Sequence, residues 1–180
     1  GACHFSDPPG RGPERHLALH TWMSTPAHCT GAILAGGRAT RFGGVAKGLE
    51  SVGGVRIIDR VAAALRDSCD DLIIVANDPA AAGWIPGARV IGDVRPGAGP
   101  LGGVHAALAH ARDAVFVVSW DSPFVPAALV RAVRSAGEIA GADAAVPASH
   151  SLWGFEPLCA WYRTSCLPAI ERHIDAGELR

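Results

Sequence analysis

The sequence predicts an α/β fold, a three-layer, doubly wound and mostly parallel sheet. Three observations lead to it. Short apolar runs recur along the chain, helical patterns separate them, and polar or glycine-rich residues follow the runs directly.

The runs are GAIL (31–34), DLIIVA (71–76), RVIG (89–92) and AVFVVSW (114–120). They are nearly continuous in apolar residues, as strands covered on both faces of a parallel sheet are, whereas a strand wet on one face would alternate. Between them Ile57, Ile58, Val61, Leu65 and Cys69 fall on one helical face. Leu101, Val104, Leu108 and Ala111 fall on another, as do Leu129, Val130 and Val133. Two further strands are expected in ADAAVP (142–147) and PLCAWY (157–162), then a helix over about 165–174. Residues 148–155 are expected as a surface loop.

The chain has 180 residues, 49% of them apolar, which fits one compact domain with no room for a second core. Sixteen basic and seventeen acidic side chains nearly balance. That argues against a broad nucleic-acid or membrane surface, and no apolar run is long enough to span a bilayer. The cysteines Cys3, Cys29, Cys69, Cys159 and Cys166 form no CxxC pair and are expected as reduced, mostly buried thiols. Residues 1–28 are expected as a disordered extension, being rich in Pro, Gly, Arg and His without helical or strand period, with the ordered domain over 29–180. Met23 is the only methionine and is expected to mark the natural start. No signal-peptide pattern precedes it, so a cytoplasmic protein is expected.

In open α/β sheets ligands bind outside the carboxyl ends of the strands. After the first run comes AGGRATRFGGVAKGLE (35–50), where Gly36, Gly37, Gly43 and Gly44 let the backbone approach oxyanions closely. Arg41 and Lys47 add positive charge, Arg as a fork and Lys as a mobile point charge. A polyphosphate is the natural guest. The loop is not a Walker A sequence, since Gly48 follows Lys47, and it is not GxGxxG. Glycine pairs also occur in plain turns, and on its own the loop leaves the two readings evenly matched. Asp121, just past a buried strand, tips the balance, because Mg²⁺ takes one or two protein carboxylates and fills its other positions with phosphate oxygens and water. Asp93 is the second candidate, with an ordinary turn role equally open to it. His105 is expected to be a partly buried structural residue, Trp120 a packing residue. His150 and Trp153 are equally open to bordering an acceptor or facing solvent.

Taken together, LAGGRATRFGGVAKGL (34–49), IIDRV (57–61), GAGPLGGVHAAL (97–108), WDSPFV (120–125) and EPLCAWY (156–162) resemble the molybdenum cofactor guanylyltransferase family. That family lies within the nucleotidyltransferases of Rossmann-like, nucleotide-diphospho-sugar transferase fold. The resemblance implies that Leu34, Ala35, Gly36 and Gly37 line the nucleotide site, with Arg41 and Lys47 on the triphosphate. It implies that Asn77 lies near the base and Asp93 contacts the nucleotide. Pro100, Leu101 and Gly102 would shape the pocket, and Asp121 would hold Mg²⁺ and the phosphates. The catalytic set it implies is Arg41, Lys47 and Asp121.

The implied reaction moves GMP from GTP to a molybdopterin-type phosphate acceptor and releases pyrophosphate. The implied partners are those small molecules, with transient contact to cofactor-synthesis or acceptor proteins, and not nucleic acid or membrane. A sister enzyme using CTP, UTP or a sugar-phosphate acceptor is the alternative, as is an inactive nucleotide-binding relative. Family members continue past the position of Arg180, so a truncated C-terminus is expected.

Overall fold

The structure is a computed structural model and describes residues 27–36 and 47–179. A six-stranded sheet has the order β5-β4-β1-β6-β8-β7. Its strands are β1 (Cys29–Leu34), β4 (Asp71–Val75), β5 (Arg89–Ile91), β6 (Ala114–Ser119), β7 (Ala144–Ala145) and β8 (Cys159–Arg163). The first four in that order run parallel, while β8 is antiparallel to both β6 and β7. β2 (Ser51–Val52) and β3 (Val55–Arg56) form a separate hairpin.

The continuous apolar runs are explained by helices on both faces. Successive strand residues point to opposite sides. Ile33, Leu72, Ile74, Phe116 and Val118 join the core under α1 (Ile57–Arg66) and α3 (Ala127–Ala140). Ala32, Leu34, Ile73, Val75, Val115 and Val117 join the other, under α2 (Gly99–Ala109) with α4 (Leu167–Asp175) beside it. Three layers result, as the sequence predicts.

Each helix reflects its surroundings. α1 buries Ile57, Ile58, Val61 and Leu65 and turns its charges outward. It lies so close to β1 that a side chain on Gly31 would meet Leu65 Cβ at 3.0 Å. α2 is buried from Gly102 to Leu108, because the sheet covers one side and α4 another; its sequence is accordingly apolar nearly all round. α3 ends at Gly141 in the left-handed region (φ 60°), and the N–H of Ala142 reaches back to the Gly137 carbonyl at 3.1 Å. Gly137 has a second function: a Cβ there would fall 2.4 Å from the fully buried ring of Trp161, so glycine lets α3 lie flat on that indole.

Several boundaries differ from the sequence reading. β1 begins two residues early, at Cys29, whose N–H donates to Asp70 Oδ2 at 2.8 Å. The 142–147 strand shrinks to Ala144–Ala145, an edge piece stopped before Pro147, which has no N–H to donate. Cys69 and Ala111 keep their apolar packing but lie beyond the ends of α1 and α2. A 3₁₀ turn, Thr164–Cys166, runs into α4. Of the described cysteines only Cys29 is fully buried; Cys69, Cys159 and Cys166 are half-buried free thiols, Cys69 in the turn between α1 and β4 and the other two at element ends. Cys3 and the rest of 1–26 lie outside the described residues. Ala27 and His28 are tied to the body, through Ala27 O to Arg134 at 2.9 Å and the His28 N–H to Asp113 at 3.0 Å.

Candidate functional site at the carboxyl ends of the strands

After β1 the chain moves to β4 and β5, then crosses back through α2 to β6 on the other side of β1. The direction of winding reverses between β1 and β6, and a crevice opens at such a point. Leu34 closes β1 with its side chain buried; its carbonyl accepts from the Trp120 N–H at 3.2 Å, and the next N–H, of Ala35, donates to Val75 O at 2.9 Å. The chain is thereby held between its two neighbours up to the sheet edge. Gly36 then stands exposed, and a Cβ there would meet no heavy atom of the described residues within 4 Å. Gly37 and Arg41 lie outside the described residues.

The chain is described again at a 3₁₀ turn, Lys47–Leu49, whose Lys47 is exposed and whose Gly48 is buried. Gly48 sits on the indole of Trp120: a Cβ would fall 2.5 Å from Trp120 Cε3 and 2.7 Å from Cδ2. Trp120 in turn stacks on Trp84, with centroids 5.2 Å apart and planes 25° apart. The packing role expected for Trp120 is therefore present.

Asp121 follows Trp120 and is exposed at the end of β6. Its Oδ1 accepts from Ser119 Oγ at 2.5 Å, which orients the carboxylate. Ser119 is itself fixed through its N–H to Leu158 O at 2.9 Å, a bond from β6 toward the loop before β8. Among the described residues no three His, Cys, Asp or Glu side chains gather into a metal cage. A single oriented carboxylate in the open suits a hard cation that brings phosphate oxygens and water as its other ligands, and Mg²⁺ fits that donor set.

On the far side of β1, pairing of β4 with β5 brings Asn77 and Asp93 together. Asn77 Nδ2 donates to Asp93 Oδ2 and the Asp93 N–H donates to Asn77 Oδ1, both at 2.9 Å. Between them Gly92 leaves the amide its space, since a Cβ would lie 3.3 Å from Asn77 Oδ1.

The turn into α2 contains Gly97 and Gly99 in the left-handed region, at φ 89° and 59°. Pro100 is exposed near the helix start, where its missing N–H costs nothing, and Leu101 is half-buried. Gly102 is packed against Ala98 Cβ (3.1 Å) and Arg95 O (3.2 Å), and Gly103 against the Leu34 side chain (3.6 Å), each distance being that from an added Cβ. Through Gly103 the start of α2 is thus held beside Leu34 at the end of β1. His105, one turn on, is 3% exposed and its Nε2 lies 3.2 Å from Glu171 Oε1 on α4. It is buried more deeply than expected because α4 covers it.

His150 and Trp153 are both exposed, in a hairpin loop closed by the Ala148–Phe155 bridge. Two clefts among the described residues, one lined by Arg66, Asp71 and Arg89 and one by Asp67, Arg131 and Glu138, open near the amino-terminal ends of the strands instead. Sequence reasoning missed Ser119, the Gly48–Trp120 contact and the β2–β3 hairpin. The last had a signal, since SVGGVR puts Gly-Gly between extended residues, and Gly53 and Gly54 indeed take φ 59° and 79°.

The family model for the MobA-like NTP transferase domain matches residues 31–180. The chain is 39% identical over 152 residues to a molybdenum cofactor guanylyltransferase of Desulfosudis oleivorans, covering 83% of this chain and 73% of that one. It is 37% identical to a molybdenum cofactor guanylyltransferase of Pseudomonas putida, over 83% of this chain and 78% of the relative. Among solved structures, the molybdopterin-guanine dinucleotide biosynthesis protein A of Archaeoglobus fulgidus aligns with a TM-score of 0.67 at 30% identity, over 82% of this chain and 74% of the other. With the match running from within β1 through the last helix, the chain belongs to the MobA-like NTP transferase domain family.

Proposed function

We propose that this protein is a guanylyltransferase that moves GMP from GTP to the phosphate of a molybdopterin-type acceptor. An oxygen of the acceptor phosphate forms a bond to the α-phosphorus, the bond from that phosphorus to the bridging oxygen breaks, and pyrophosphate leaves with the electron pair. The acceptor phosphate is already anionic, so no side chain need remove a proton before the attack. What the reaction asks of the protein is alignment and neutralisation of charge.

The observation that carries this reading is the arrangement around Trp120. Its indole seats the Lys47 turn, the next residue is the oriented Asp121, and its backbone N–H holds Leu34 O at 3.2 Å at the end of β1. Lys47, and Arg41 by resemblance, neutralise the triphosphate. Mg²⁺ held by Asp121 and the phosphates would supply further positive charge when bound. Asn77 and Asp93 orient the nucleoside on the β4–β5 side, Gly36 and Gly37 give the phosphates backbone N–H groups, and Leu34, Ala35, Pro100, Leu101 and Gly102 wall the pocket. The enzyme would act in the cytoplasm, receiving its acceptor from a cofactor-synthesis protein. No described helix is long and apolar enough to cross a membrane.

Pyrophosphate release with Mg²⁺ and each nucleoside triphosphate in turn, with and without molybdopterin, tests the proposal. Acceptor-dependent release with GTP alone is expected. Release with CTP or UTP instead, or none with any nucleotide, would overturn it.

A further inference from the structure

The cationic loop and the carboxylate that ends β6 come from sequence positions far apart, yet one side chain lies between them. Trp120 is buried, with 7% of its surface exposed, and stacks on Trp84. Its indole carries the backbone of Gly48. The atoms that an added Cβ would strike, Cε3, Cδ2 and Cγ at 2.5, 2.7 and 3.0 Å, belong to a ring already wedged against another ring. Neither side can give way cheaply.

The turn is fixed from downstream as well. Ile57, the first residue of α1, donates its N–H to Glu50 O at 2.9 Å, and Arg60 donates to Val52 O at 2.6 Å. Arg56 donates to Trp84 O at 2.8 Å while paired with Asp59. The hairpin, α1 and the two indoles thus form one bracket. Lys47 is the first residue of the turn that this bracket holds.

We infer that Trp120 is a positioning residue: its indole face, accepting only glycine at position 48, sets where Lys47 meets the triphosphate relative to Asp121. The inference rests on the reading of Lys47 as a triphosphate contact. A side chain at position 48 would lift the turn off the indole and displace Lys47, leaving the Asn77–Asp93 side untouched.

The test is calorimetric binding of inorganic tripolyphosphate and of GMP to the full chain carrying Gly48→Ala, Trp120→Leu, Lys47→Ala, or Lys47→Ala combined with either of the others. Thermal melts accompany each variant. Gly48→Ala and Trp120→Leu are each expected to weaken tripolyphosphate binding about tenfold, the scale of one lost charge-assisted contact. GMP, which lacks the β- and γ-phosphates, should bind as before. In the Lys47→Ala background neither change should weaken tripolyphosphate binding further, because each acts through Lys47. Equal losses with and without Lys47, parallel loss of GMP binding, or no loss at all would overturn the inference. Should Gly48→Ala not fold, Trp120→Leu decides by the same comparison. Unchanged tripolyphosphate binding in Lys47→Ala alone would overturn the Lys47 reading and this inference with it, whereas a protein that binds as expected but releases no pyrophosphate would overturn only the proposed reaction.

Discussion

Asn77 and Asp93 bond to each other twice, side-chain amide to carboxylate and backbone N–H to amide oxygen, each at 2.9 Å. The amide orientation is therefore fixed by its partner. Asn77→Asp would set two carboxylates against one another, while Asn77→Ala only removes the bonds. We expect nucleotide binding to fall roughly threefold to tenfold in Asn77→Ala, about 1 kcal/mol, and further in Asn77→Asp. Equilibrium titration with GTP checks the order; equal losses would show that the pair does not orient the nucleotide.

Asp121→Asn keeps an oxygen for Ser119 Oγ to donate to, so the exposed turn after β6 should keep its shape. Turnover should fall by about 10²–10³-fold with little change in melting temperature, as when one preorganised charge-stabilising group is removed. Initial rates across a Mg²⁺ series measure it. Unaltered rates would remove Asp121 from the reaction.

Trp161→Ala would empty the space under α3, where the indole is fully buried against Gly137. A loss of about 3–5 kcal/mol in denaturant unfolding is expected, the usual cost of deleting a core aromatic. A cost below about 1 kcal/mol would mean the layer repacks freely.

Alkaline stability should reflect the half-buried thiol and phenol on β8. Burial, with Glu156 nearby, pushes the Cys159 thiol from 9.0 up to about 11, and burial, with Cys166 nearby, pushes Tyr162 from 10.0 up to about 12. Both groups hold their protons more tightly folded than unfolded. Their contribution is complete below pH 9 and is lost as pH rises toward 12. Unfolding midpoints measured across that range should decline, and Cys159→Ala should flatten the part between 9 and 11. An unchanged slope in that variant would contradict the assignment.

The parallel sheet was legible because its strands are covered on both faces, which leaves unbroken apolar runs such as AVFVVSW with polar residues just beyond. Hence Asn77, Asp93 and Asp121 could be picked out by position alone. What the runs do not encode is which residues meet from distant parts of the chain. Nothing around Gly48 announces that an indole at position 120 occupies the space of its missing Cβ. Likewise Ser119 reads as part of a strand, and only the turn after it brings its hydroxyl to Asp121. Alanine-rich ADAAVP was extended too far because alanine follows either structure, and its length as a strand depends on how much of β8 it can pair.

The reversed direction of β8 has a consequence for how this scaffold can diversify. Because Cys159 pairs opposite Val118, residues 146–158 arrive at the same rim as the turn after β6, although they precede their strand. One rim is thus assembled from two sources: outgoing connections of parallel strands on the nucleotide side, and an incoming connection beside β6. A change in the length or composition of that incoming segment would alter no parallel crossover.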